Sequence, residues 1–494
     1  MMRGRVLTAW AGVWLLAALL WAWGGALAQA PPPLLPTPTL PPVPDAPYTL
    51  SEVGGEPYTL HIEHGDPLGE TQVVSHYPQG LDFALRPPAD SPAWQSVTLR
   101  LRFVGGSQMR ASASWDAERG AWTVRLDPAL RRLPAWAHME ARWQVRTAEG
   151  TLNESAPFAL DYADVTRRWW RVETDEMVVY WFGFSEDAPQ AFARRMAWTL
   201  AATRDRRVQG FGGPLSYQAV GVIYDSWDTM REMEGGGPVN RGGAFYDLGM
   251  SVLGSVGGDD IAWLRDRMAF LTVHELVHLY QFEKLGGSLG PTWWAEGQAQ
   301  WFGTHPGEYD ARLRHLLTLQ PLPTLTHEIT RDIVQADGLP DLAYDMGASF
   351  INWLLANYGG LPTHAAIVQR MRGGEDLYTA IEEVCGETFL ALENAWRAYL
   401  GAPPLSLADV DPAAALEPPH EAVFATGQVV TLPAAPVLVP LMEQPRPKAL
   451  ASGQCFGGTP VTVLEVGSLG GVNYYRVDCL GQLGWLEEAQ LAGE

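Results

Sequence analysis

The chain is expected to be a multidomain α+β protein: an N-terminal β-sandwich, a central α+β domain and a C-terminal small β-barrel. Three observations lead there. Its 494 residues are too many for one core and correspond to about three domains of roughly 150 residues. The hydrophobic periodicity changes twice, from period-two alternation to buried strands with long helices, and back to short strands. Two proline-rich stretches, residues 29–47 and 403–425, punctuate it.

From the start, Arg3 and Arg5 precede an uncharged, mostly apolar stretch, residues 6–27, and Ala26-Leu27-Ala28 fits a small-x-small cleavage site. Residues 1–28 are expected to be a signal peptide. The alternative is an uncleaved anchor, since residues 6–27 are just long enough to span a bilayer; a membrane is a partner only in that case. Either way the body is exported, to the extracellular space or the cell envelope. Residues 29–47 are expected to form a stiff, extended linker, because proline at this density supplies few ladder donors.

Residues 48–165 form the sandwich. Residues 96–104 (SVTLRLRFV) alternate with period two, as do 122–126 and 140–147. No catalytic constellation is present: His61 and His64 bracket Glu63 at a strand spacing that sends the two imidazoles to opposite faces. A spacer or binding module is the expected role.

Residues 168–402 form the central domain. Residues 176–181 (EMVVYW) and 219–224 (AVGVIY) read as buried strands, 188–208 as a helix and 241–253 as a glycine-containing strand or hairpin. Long helices follow at 261–285, 292–302, 345–358 and 389–400. After the 403–425 linker, residues 426–494 hold short strands at 461–466 and 474–477 and end with Gly484-Trp485-Leu486, which suggests the small barrel.

Composition removes several function classes. Lys+Arg is 34 against Asp+Glu 56, a net charge of −22. Such a surface repels phosphate backbones, so nucleic acid is not an expected partner. Only one apolar stretch is long enough to span a bilayer, which excludes a polytopic membrane protein. Three cysteines, Cys385, Cys455 and Cys479, cannot build a four-thiolate zinc site. In an exported barrel, Cys455 and Cys479 flank strands expected to be neighbours and are expected to pair, leaving Cys385 as a small buried residue.

The informative segment is 270–282, FLTVHELVHLYQF, which contains His274-Glu275-Leu276-Val277-His278. Helical residues four apart lie about 40° apart around the axis. His274 and His278 can therefore address one ion, with Glu275 beside them for its water. The flanking residues are apolar nearly all round, and three ionisable groups in a buried helix are costly without a metal or charge partner. Catalytic zinc usually takes three protein ligands and keeps one open position. The next helix supplies a third at Glu296, after a turn made by Gly286-Gly287 and Gly290-Pro291. Glu283 is the competitor, five residues past His278 and about 140° around the helix.

HELVH followed by Trp293-Trp294-Ala295-Glu296-Gly297-Gln298-Ala299 resembles the gluzincin metallopeptidases, and residues 168–402 resemble the bacterial peptidase MA-like domain, whose late Trp-Arg-x-Tyr-Leu end is matched by Trp396 to Leu400. The resemblance implies a thermolysin- or gluzincin-like domain with zinc (Zn2+) at His274, His278 and Glu296, and Glu275 as general base. It further implies that Tyr344, in Tyr344-Asp345-Met346-Gly347, stabilises the oxyanion, although methionine stands where aminopeptidases have lysine. Gly243-Ala244-Phe245-Tyr246 lacks the glutamate with which those aminopeptidases hold a free amine, so an endopeptidase or another hydrolase is favoured. Gly458 to Leu464 and Gly484 to Leu486 are similar to a bacterial Src-homology-3-like (SH3-like) barrel, implying a cell-wall or envelope polymer as a partner. Residues 48–165 resemble immunoglobulin- or fibronectin-like modules. The expected function is an exported zinc hydrolase that cleaves a peptide or protein substrate. The alternative is a catalytically silent envelope-binding protein with a peptidase fold as its scaffold.

Overall fold

The strands Met177–Trp181, Ala219–Tyr224 and Met250–Gly254 run parallel at the centre of a six-stranded sheet, and every one of their residues is buried. The computed structural model describes residues 46–492 except 66–67, 92, 128–132, 234–241, 288, 304–307, 327–341, 435–436 and 447–450. The expected signal peptide, and the linker as far as residue 45, lie outside the described residues. Among the described residues there are four sheets and 11 α-helices, an α+β protein in which no helix is long and apolar enough to cross a membrane.

The central sheet has the order Thr49–Gly54, Arg168–Glu173, Met177–Trp181, Ala219–Tyr224, Met250–Gly254, Gly242–Phe245, with the outer pairs antiparallel. Neighbouring residues of a strand point to opposite faces. Val179, Trp181, Ile223 and Leu253 enter a core shared with the helices. Val178, Tyr180, Val220, Val222, Tyr224 and Val252 enter the core of the N-terminal strands. A sheet covered on both faces needs continuous apolar runs rather than alternation, as MVVYW, AVGVIY and MSVLG supply.

This changes the expected role of the N-terminal module. Its strands between Thr59 and Asp161 form two antiparallel five-stranded sheets whose core is continuous with the back of the central sheet. It is a cover for that sheet, not a detached spacer. The first strand of the 48–165 stretch, Thr49–Gly54, pairs with Arg168–Glu173 and so belongs to the central sheet. Nothing local in TLSEVG announces this, because the pairing spans more than a hundred residues.

The expected helices occur as Ile261–Leu285, Thr292–Gly303, Leu342–Asn357 and Phe389–Leu400. Leu377–Cys385 is the helix expected to end at Cys385, whereas Glu308–Leu317 and Leu361–Arg372 were not anticipated. The C-terminal residues form a six-stranded antiparallel sheet with its own core, including Leu441, Val463, Tyr475 and Leu486. Cys455 and Cys479 are disulfide-bonded there with Cα atoms 6.2 Å apart. Cys455 lies on its own strand, Ala451–Phe456, so the link is not between the two strands first expected to carry it. Cys385 is a partly buried free thiol.

Candidate metal centre

The helix Ile261–Leu285 begins where the Asp260 side chain accepts from the Ala262 and Trp263 amides at 3.0 and 3.1 Å. It ends at Gly286, whose φ of 71° closes the helix in the left-handed region. Within it His274 and His278 are buried, their ring centroids 5.0 Å apart. The following helix, Thr292–Gly303, carries Glu296 back onto them. Glu296 Oε2 is 3.2 Å from His274 Nε2 and 3.4 Å from His278 Nε2.

These residues fit a zinc ion. Zinc bonds of about 2.0–2.2 Å at tetrahedral angles put ligand atoms about 3.4 Å apart. One ligand atom from each of the three residues lies within 4.8 Å of the others. The charge fits as well. With neutral imidazoles, as metal ligation requires, Glu275 and Glu296 leave this enclosed site negative, and a divalent cation offsets that charge. Without a cation, protons take its place. Burial disfavours a charged His278, but the Glu296 carboxylate outweighs that and pushes the imidazole up to about 9. Burial likewise works against ionised Glu296, yet the two imidazoles hold it well below the usual carboxylate range. Burial raises the Glu275 carboxyl, against the opposing pull of His278 and His274.

Glu283, the competing ligand, is engaged elsewhere. Its carboxylate accepts from the Ser216 amide and hydroxyl at 3.0 Å each and pairs with Lys284 at 2.7 Å. Tyr344 comes to the site through the helix Leu342–Asn357, its ring stacked on His274 with centroids 6.0 Å apart. Two glycines allow this approach. A Cβ on Gly347 would lie 1.9 Å from the Trp293 carbonyl oxygen, and one on Gly297 would lie 2.5 Å from the Gly347 carbonyl carbon. The helices bearing Glu296 and Tyr344 therefore cross backbone to backbone.

Four residues around the site were not singled out from the sequence: Gln281, Gln298, His364 and Tyr246. Gln281 sits one turn past His278 and accepts from its Nδ1 at 2.8 Å. Tyr246 stacks on Phe282 of the histidine helix at 5.1 Å, and burial with the charges of Glu275 and Glu296 pushes its hydroxyl up to about 12. His274 Nδ1 is buried with no hydrogen-bond partner among the described residues. A separate cavity of about 560 Å³ lies away from these residues, lined by Tyr58, Trp136, Arg171 and Tyr180 among others. Several of its charges are satisfied internally, as in Glu52–Arg168 at 3.2 Å and Arg171–Glu173 at 2.7 Å.

No protein-family model matches the chain, and no curated protein sequence matches it. Among solved structures, it is similar to an M1 zinc metallopeptidase from Deinococcus radiodurans, a mutant bound to a Tyr-Ser-Ala substrate. The identity is 13%, over 74% of this chain and 95% of that one, with a TM-score of 0.29. It is similar to aminopeptidase A from Legionella pneumophila in complex with aspartic acid at 11% identity over 70% of this chain, with a TM-score of 0.28. That match spans about half (49%) of the Legionella chain. A shorter overlap, with the structure named BhCBM56, has 13% identity over 20% of this chain and 96% of that one, with a TM-score of 0.17. At such TM-scores the overlaps carry no weight, and the site stands on its own geometry.

Proposed function

We propose that the chain is an exported zinc-dependent peptidase. The observation that carries this is the triangle of buried His274 and His278 with half-buried Glu296, and Glu275 adjoining it. His274, His278 and Glu296 would hold the ion. When bound, zinc supplies a Lewis acid and a water acidified to a pKa near 7. Glu275 takes the proton of the attacking water on its carboxylate and returns it to the leaving amine nitrogen. The Tyr344 hydroxyl donates to the carbonyl oxygen as charge develops there.

A peptide is the favoured substrate because of the sheet edge beside the site. Gly242–Phe245 is the last strand in its sheet and leads directly into Tyr246, which stacks against the histidine helix. Among the described residues its outer edge pairs with no strand, and an extended peptide adds to such an edge through main-chain hydrogen bonds. Export is supported by the apolar stretch behind Arg3 and Arg5, and residues 426–494 would tether the enzyme to an envelope polymer.

The test is metal analysis of the purified protein together with digestion of a peptide library, with and without a chelator. About one zinc per chain and chelator-sensitive cleavage are expected. Stoichiometric zinc without cleavage of any peptide would favour the silent scaffold, and absence of metal binding would defeat the proposal.

A further inference from the structure

A chain of side chains runs from the candidate zinc ligand His278 to the Gly210 carbonyl, and its hydrogen bonds have one polarity. His278 Nδ1 lies 2.8 Å from Gln281 Oε1. Gln281 Nε2 donates to the Ala295 carbonyl and to Gln298 Oε1, both at 2.7 Å. Gln298 Nε2 lies 3.0 Å from His364 Nε2, and His364 Nδ1 lies 2.7 Å from the Gly210 carbonyl oxygen. Gln281, Gln298 and His364 are fully buried, and the six groups come from four helices.

Two backbone carbonyls, which can only accept, fix the direction from both ends. The Gly210 oxygen requires the His364 proton on Nδ1, so His364 Nε2 must accept. That turns the Gln298 amide nitrogen toward His364 and its oxygen toward Gln281. The Ala295 oxygen independently turns the Gln281 nitrogen inward, which leaves the Gln281 oxygen facing His278. The proton of His278 is thereby held on Nδ1, and Nε2, the atom facing Glu296, keeps its lone pair for a metal. Reversing any amide would set two acceptors against each other in a buried place.

We propose that His364 is a positioning residue for the metal centre, acting through Gln298 and Gln281 to fix the tautomer and orientation of His278. This rests on the zinc-site reading above. His364 suits the role. Its ring is stacked on Trp294 at 5.4 Å and wedged against Phe302 and Phe211 at 4.7 and 5.1 Å. Burial pushes its pKa down to about 4, so it stays a neutral acceptor in ordinary buffers.

The experiment compares the full chain with its His364→Phe, His364→Gln and Gln298→Met variants. The zinc dissociation constant is read by competition with a chromophoric chelator, the visible spectrum of the Co2+-loaded proteins reports ligand geometry, and melting in chelator reports the fold without metal. His364→Phe keeps the ring packing but removes the acceptor; Gln298→Met keeps the length but removes the amide. Both are expected to weaken zinc about tenfold or more and to shift the Co2+ spectrum. His364→Gln keeps an acceptor toward Gln298 and is expected to bind within about threefold of the original chain. A purely structural His364 would lower the melting temperature and leave zinc affinity alone. If His364→Phe does not fold, Gln298→Met decides. A folded variant of either kind that binds zinc within about twofold of the original overturns the inference and leaves the zinc site standing. An original chain that binds no zinc overturns both.

Discussion

Val178 and Val179 are adjacent in one strand and are buried in two different cores. Val179 packs with Trp181 and the helices, whereas Val178 packs with Tyr180 and the N-terminal strands. The candidate metal centre thus sits on a sheet whose other face is covered by the strands between Thr59 and Asp161.

Residues 168–402 expressed alone are expected to aggregate, since removing the module exposes Val178, Tyr180, Val220, Val222, Tyr224 and Val252 and deletes the Thr49–Gly54 edge strand. Residues 46–402 are expected to remain soluble. Size-exclusion chromatography and a hydrophobic dye compare them. A monodisperse, cooperatively melting 168–402 fragment would mean that the module is dispensable.

Glu296→Ala is expected to reduce zinc from about one ion per chain to under about a tenth after dialysis against a weak chelator, because it removes one of three ligands. Glu283→Ala is expected to keep its metal, since Glu283 holds Ser216 and Lys284 instead. Metal analysis that showed the reverse would move the third ligand to Glu283.

Glu275→Gln is expected to retain zinc and lose hydrolysis by about a hundredfold or more, because the amide keeps the shape and cannot take the proton. Turnover of a peptide-library substrate within about tenfold of the original would remove Glu275 from the role of base.

Tyr344→Phe preserves the ring that stacks on His274 and removes only the hydroxyl. Turnover is expected to fall about a hundredfold while zinc content and melting temperature stay put. If instead only Tyr344→Leu has an effect, the ring matters and the hydroxyl does not.

Stability is expected to carry a histidine-dependent slope in acid. His364 is neutral in the fold, with its pKa pushed down to about 4 by burial, while an unfolded chain protonates it near 6.5. The unfolded state therefore binds the extra proton first. The contribution is intact above pH 6.5, declines as the pH falls and is gone below about 4, in total about 3 kcal/mol. Urea midpoints at pH 7.5 and 4.5 measure it against His364→Phe, which lacks the titrating group. The stability gap between the two proteins should narrow by about 2–3 kcal/mol at the lower pH. An unchanged gap would show that His364 titrates alike in both states.

The candidate ligands were legible in the sequence because helix geometry is local. The spacing of His274 and His278 puts them on one face of any helix, and Asp260 and Gly286 mark its ends within a few residues. Glu296 was within reach because a glycine-rich turn brings the next helix back. The rest depended on the tertiary structure. Glu283 and Glu296 are both carboxylates near His278 in sequence, and only the packing against Ser216 takes one of them away. Apolar runs such as AVGVIY say that a strand is buried, not what covers each face, so the N-terminal module's place was hidden. His364 lies 86 residues past His278 in an ordinary amphipathic helix, and a hydrogen-bond chain through two glutamines leaves no periodic mark. Local rules determined which residues can share a helix face; long-range contacts, whose pairing no short segment encodes, decided which of those residues meet.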